Sequence, residues 1–158
     1  MKAILVTILF FCTSYLMAGA FDLKTLDGKT VHITDYDGNF VFTDPGYANK
    51  PVLFFFFGTR CPYCAREIPQ VISLVKQHKI KTIGIQAQFP VSDASLRRFV
   101  KRKGINFQVL NAKDGNKLVK YLIRRRMWVG GVPYYVWVDK YGNLEPTDLN
   151  GVLEKIGR

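Results

Sequence analysis

Cysteine and histidine are scarce in this chain of 158 residues: three cysteines, at positions 12, 61 and 64, and two histidines, His32 and His78. A zinc site normally gathers further Cys or His ligands in a cluster, and neither histidine belongs to a paired motif, so no metal ligands are assigned. A lone Cys-x-x-Cys pair also argues against a disulfide-stapled scaffold, since small domains of that kind use several bridges. Acidic residues are sparse too, 12 against 23 lysines and arginines, for a formal net charge of +11. Internal repeats, low-complexity tracts and cofactor-binding motifs are lacking. What remains is one domain with no cofactor beyond its own cysteines.

The N-terminus carries one basic residue, Lys2, and then an uncharged apolar run from Ala3 to Ala20 that ends Ala18-Gly19-Ala20. That is the n-region, h-region and small-residue cleavage site of a secretory signal peptide. The expected division is a leader over residues 1–20 and a mature domain over 21–158. An uncleaved anchor is the alternative, because about 18 apolar residues just cross a bilayer. Either way Cys61 and Cys64 lie outside the cytoplasm, in the periplasm or an equivalent compartment. The basic clusters (Arg97-Arg98, Lys101-Arg102-Lys103 and Arg124-Arg125-Arg126) suit a membrane surface, acidic partners or simple solvation. Export places the chain away from nucleic acid.

The most informative stretch runs from Phe54 to Pro69. Val52 to Phe57 is a continuous apolar run, as in a strand buried on both faces. Gly58 and Thr59 break it, and Pro62 sits where Pro is favoured, at the first position of a helix. Cys61 is thereby delivered to the exposed start of a helix, where unpaired N–H groups and the macrodipole favour a thiolate, and Arg60 adds positive charge. Cys61 is read as the nucleophile. Cys64, nearly one turn on and further inside the helix, is read as the thiol that resolves a mixed disulfide. A half zinc site and an inert bridge are the competing readings; a bridge over so short a loop would restrain the unfolded chain little.

Along the rest of the chain, Phe21 to Ile33 alternates about Asp27-Gly28 as a hairpin, and Asp35 to Asn39 forms a second turn. Residues 39–50, with Asp44-Pro45-Gly46, read as a loop. His32 reads as an ordinary strand residue. Helices are expected over Ala65–Gln77, kinked at Pro69, over Ser92–Lys103 with Ser92 as cap and Gly104 as stop, over Asn116–Arg125 and over Leu149–Ile156. Strands are expected over Lys81–Gln88, Phe107–Leu110, Tyr134–Val138 and Leu144–Glu145. Trp128 and Trp137 read as packing residues. The alternation gives an α/β sandwich around a mixed sheet.

Cys61-Pro62-Tyr63-Cys64 followed by Glu67-x-Pro69 resembles the thioredoxin-like TlpA/ResA/CcmG (DsbE) group of exported thiol-disulfide oxidoreductases. Leu26-Asp27-Gly28-Lys29, Gly104-Ile105-Asn106-Phe107, Gly131-Val132-Pro133 and Asp139-Lys140-Tyr141-Gly142 extend the likeness over nearly the whole mature chain. The resemblance implies a thioredoxin fold: a central mixed β-sheet flanked by helices, with an N-terminal β-hairpin extension. It implies a cis peptide bond before Pro133, with Val132 offering backbone groups to an extended client. It also implies that Glu67 lies beneath the active site, where a partly buried carboxyl near Cys64 can take or give a proton; first-turn charge–dipole stabilisation is the alternative.

Two departures from the group's pattern stand out. Arg60 replaces the usual Trp, and Phe55 stands where thioredoxins keep a buried Asp. Pro62 and Tyr63, flanking the thiols with Arg60, complete the expected client-binding set. The expected activity is reduction of disulfides in cysteine-containing clients, apocytochrome c among them, with electrons from a membrane thiol reductase. The alternatives are a Dsb-type oxidase or isomerase, with electrons flowing the other way, and a thioredoxin-fold copper chaperone using both thiolates as soft ligands.

Overall fold

The structure, a computed structural model, describes residues 19–157. It opens with three antiparallel strands, β1 (Gly19–Lys24), β2 (Thr30–Tyr36) and β3 (Asn39–Phe42), paired in that order. The expected hairpin about Asp27-Gly28 is present and gains a third strand. Residues 39–42, expected as part of a loop, pair with β2 and alternate, burying Phe40 and Phe42 while exposing Asn39 and Val41. Gly19 and Ala20 also belong to β1, opposite Asp35 and Thr34. The last two residues of the expected leader are thus part of β1, and the rest of it, with Cys12, lies outside the described residues.

The main sheet follows. β4 (Val52–Phe57) leads through α1 (Pro62–His78) to β5 (Lys81–Gln86). Then come α2 (Asp93–Lys103), β6 (Gln108–Val109), α3 (Ala112–Arg124), β7 (Tyr134–Val138), β8 (Leu144–Thr147) and α4 (Leu149–Ile156). Strand order is β6-β5-β4-β7-β8, parallel among β4, β5 and β6 and antiparallel at β7 and β8. β4 is central, and all six of its residues are buried. Its side chains alternate between two cores, as strand geometry requires. Val52, Phe54 and Phe56 pack with Ile33, Phe40, Leu118 and Tyr121, joining the N-terminal sheet and α3. Leu53, Phe55 and Phe57 pack with Ile68, Val71, Leu96 and Val152 from α1, α2 and α4. Each fully buried phenylalanine contributes about 2 kcal/mol by area removed from water.

The caps follow the sequence. Ser92 accepts a hydrogen bond from Ser95 N at 3.2 Å, and Gly104 ends α2 in the left-handed region. α1 runs through Pro69 as one helix of 17 residues. The two sheets join where Phe40 N donates to Gly142 O at 2.8 Å. A Cβ at position 142 would lie 2.6 Å from Phe40 O, and Gly142 has φ +92°, so only glycine suits that contact.

Candidate active site

β4 ends at Phe57, and residues 58–61 turn the chain into α1. Cys61 is the N-cap residue, with extended backbone (φ −90°, ψ 115°), and its Sγ accepts the Cys64 N–H at 3.1 Å. Pro62 follows at the first helical position, as the sequence predicts. Sulfur thus takes the role that a Ser or Asp oxygen usually plays at a helix start. Both cysteines are free thiols. Cys61 is only 6% exposed, less open than its place at the helix start suggests, because it sits against Val132 and the aromatic floor of a cleft. Cys64 is fully buried.

The Cys64 Sγ accepts the Gly58 N–H at 3.3 Å. Burial pushes its thiol up to about 12, reinforced by the hydrogen bond to Cys61 and opposed by the Gly58 N–H. The chain before Cys61 is held by Gln88: its Oε1 accepts the Arg60 N–H at 3.2 Å and lies 2.3 Å from where a Cβ at Gly58 would be.

The Val132–Pro133 bond is cis, as the resemblance implies, and the Cys61 thiol donates to Val132 O at 3.5 Å. The loop before it is fixed by Trp128, buried as expected, whose Nε1 donates to Gly131 O at 2.7 Å. Tyr63 is exposed, with the Arg66 guanidinium 4.6 Å above its ring. Pro62 and Arg60 are exposed on the same rim. The structure therefore brings Arg60, Cys61, Pro62, Tyr63, Cys64, Val132 and Pro133 to one end of the main sheet.

Glu67 lies in the second turn of α1, and the first turn carries no acid, so charge–dipole stabilisation does not account for it. Its Oε2 accepts the Tyr135 hydroxyl at 2.5 Å. Tyr135 is 3% exposed and stacks on Phe55 with centroids 5.0 Å apart. Its phenol is pushed up by burial first and by the Glu67 hydrogen bond second, and stays protonated as the donor. Tyr135 and Gln88 are the two residues that the sequence did not single out. Their contacts span strand pairings and a loop, with no local pattern to reveal them. Among the described residues no His, Cys, Asp or Glu cluster could hold a metal ion. His32 is an exposed strand residue 2.6 Å from Asp22 Oδ1.

Comparison with known proteins agrees with this geometry. The model of the AhpC/TSA family matches residues 16–146. The thiol-disulfide oxidoreductase ResA of Halalkalibacterium halodurans is 26% identical over 139 residues, covering 86% of this chain and 68% of that protein. Among solved structures, MTB DsbF in its mixed oxidised and reduced forms superposes with a TM-score of 0.64 at 22% identity, covering 87% of this chain and 92% of its own. The exposed lipoprotein thioredoxin of Streptococcus pneumoniae gives 0.62 at 21% identity, covering 88% and 98%. These superpositions show the thioredoxin fold, and the resemblance read from Cys61 to Pro69 stands.

Proposed function

The chain belongs to the AhpC/TSA family, and we propose that within it this protein is an exported thiol-disulfide oxidoreductase of the ResA/DsbE type that reduces disulfides in client proteins. The observation that carries this reading is the paired-thiol geometry: Cys61 caps α1 at the surface end while Cys64 is buried against Gly58 N. The name of the H. halodurans relative, thiol-disulfide oxidoreductase, points to the same chemistry.

The steps balance as follows. The Cys61 thiolate attacks one sulfur of a client disulfide, forming a Cys61–client mixed disulfide and releasing the client's other sulfur as a thiolate, which takes up a proton. Cys64 then loses its proton, for which Glu67 is the nearby carboxyl, and attacks Cys61 Sγ. The Cys61–Cys64 disulfide forms and the second client thiol leaves. Two electrons have passed to the client, and an external dithiol, in this reading a membrane thiol reductase, restores the pair. Val132 and Pro133, with Arg60, Pro62 and Tyr63, hold the client at the sulfurs. An apocytochrome c disulfide is the client class that the ResA likeness suggests, and the leader-like N-terminus supports export.

Equilibration against glutathione tests the direction. A reduction potential below about −230 mV supports a reductase, whereas a value near about −120 mV reverses the flow and makes the protein an oxidase.

A further inference from the structure

A shallow cleft of about 250 Å³ opens beside Cys61, lined by Pro62, Phe99, Arg60, Arg102 and Lys103 among others. Its floor is Phe99, 4% exposed and stacked on Phe57 with centroids 5.7 Å apart and planes 11° from parallel. The Arg102 guanidinium lies 5.5 Å over the Phe99 ring, so a packed aromatic sets its position. Lys103 belongs to the last turn of α2, and Arg60, next to the nucleophile in sequence, lines the same cleft. No carboxylate lines the cleft. Ion pairs among the described residues engage Lys29, His32, Lys117, Arg125 and Lys155, and none of the three cleft cations.

Three uncompensated cations around a nucleophilic sulfur are a recognition element. Resting on the oxidoreductase reading above, we infer that this cleft selects clients whose cysteine is flanked by acidic residues, the carboxylates entering beside Cys61 as the mixed disulfide forms. The occupant is an acidic peptide segment. The argument is charge complementarity with a site whose reactive atom is part of its lining. Such pairing raises encounter rates and favours one orientation of the client disulfide. Val132 and Pro133 are not part of the cleft's lining, and in the proposed reading their edge supplies backbone contacts indifferent to side-chain charge.

The test is single-turnover oxidation of the reduced protein by three disulfide-linked peptides, with two aspartates, two serines or two lysines beside the cysteine. For the unmodified protein at low salt, the aspartate peptide reacts roughly tenfold faster than the lysine peptide, with serine between, and the spread narrows to about twofold in 0.5 M salt. Arg102→Gln/Lys103→Gln, or either single variant if the pair folds poorly, collapses the spread. Lys120→Gln/Arg124→Gln removes the same charge from exposed positions of α3 and keeps it. Equal rates for the three peptides, or equal collapse in both variants, overturn the inference and leave the oxidoreductase reading intact. Failure of the unmodified protein to reduce the serine peptide overturns both.

Discussion

The Tyr135 hydroxyl donates a hydrogen bond to Glu67 Oε2 at 2.5 Å, tying β7 to the second turn of α1. Tyr135 stacks on Phe55, at the position where thioredoxins usually keep an acid, so the ionisable group near the thiols comes from the helix instead of the strand. Glu67 is close enough to raise the Cys64 thiol by its charge. In the proposed mechanism, carboxyl and buried thiol act as one proton-handling unit.

Two substitutions separate the structural and chemical parts of that contact. Tyr135→Phe removes one hydrogen bond and lowers stability by about 1 kcal/mol, with a smaller effect on exchange. Glu67→Gln keeps an acceptor for Tyr135 but no ionisable group, so resolution of the mixed disulfide slows at least about tenfold while the fold is retained. Stopped-flow rates beside denaturant midpoints distinguish them, and an unchanged resolution rate in Glu67→Gln removes the carboxyl from the mechanism.

Cys64 has a pH signature. In a Cys61→Ser variant its alkylation by iodoacetamide climbs steadily from pH 7 to 10 without a plateau, because burial still favours the thiol. A plateau near 9, the ordinary thiol value, contradicts the burial account.

Linkage adds a second readout for the same thiol. A raised folded-state value means the folded chain holds this proton more tightly than the unfolded chain. That stability is present below about pH 9 and is lost as pH rises toward about 12. The reduced protein therefore loses stability with alkali that the oxidised protein, lacking the thiol, does not. Chemical denaturation of both forms at pH 8 and pH 10 measures the difference, and parallel losses contradict the assignment.

Gly58→Ala probes the turn that presents Cys61. The added methyl meets Gln88 Oε1 at 2.3 Å and Cδ at 2.6 Å, costing about 1–3 kcal/mol and loosening the Arg60 N–H contact. Adding Gln88→Ala removes the Oε1 and Cδ clashes and relieves part of that cost, the Gln88 Cβ staying 2.8 Å away. If the penalty is the same in both backgrounds, as thermal or urea unfolding would show, the clash is not its source.

Much of this architecture was legible because local signals agreed with tertiary demands. Val52–Phe57 is apolar without interruption, and the fold places it at the centre, with both faces covered. Leu149–Ile156 forms the helix expected there. Less legible was α3, which starts at Ala112 and not at Asn116. Asp114 accepts from Lys24 N at 2.9 Å and from Asn111, while Gly115 packs so closely on Ile85 that a Cβ would lie 3.3 Å from Cγ2. Those residues serve contacts with β1 and β5 that no window of neighbouring sequence contains. The same holds at the site. Cys61, Cys64 and Pro133 announce themselves through spacing and resemblance, whereas Tyr135 is placed by its register opposite Phe55 and Gln88 by a turn after β5.

The central claim is the division of labour between two sulfurs, and mass spectrometry of the chain after mixing with a disulfide-linked peptide tests it most directly. The unmodified protein should become lighter by two hydrogens through a Cys61–Cys64 bond, and Cys64→Ser should accumulate one peptide adduct mapped to Cys61. An adduct on Cys64 in preference to Cys61 in the unmodified chain, or exchange that persists in Cys61→Ser, would contradict it.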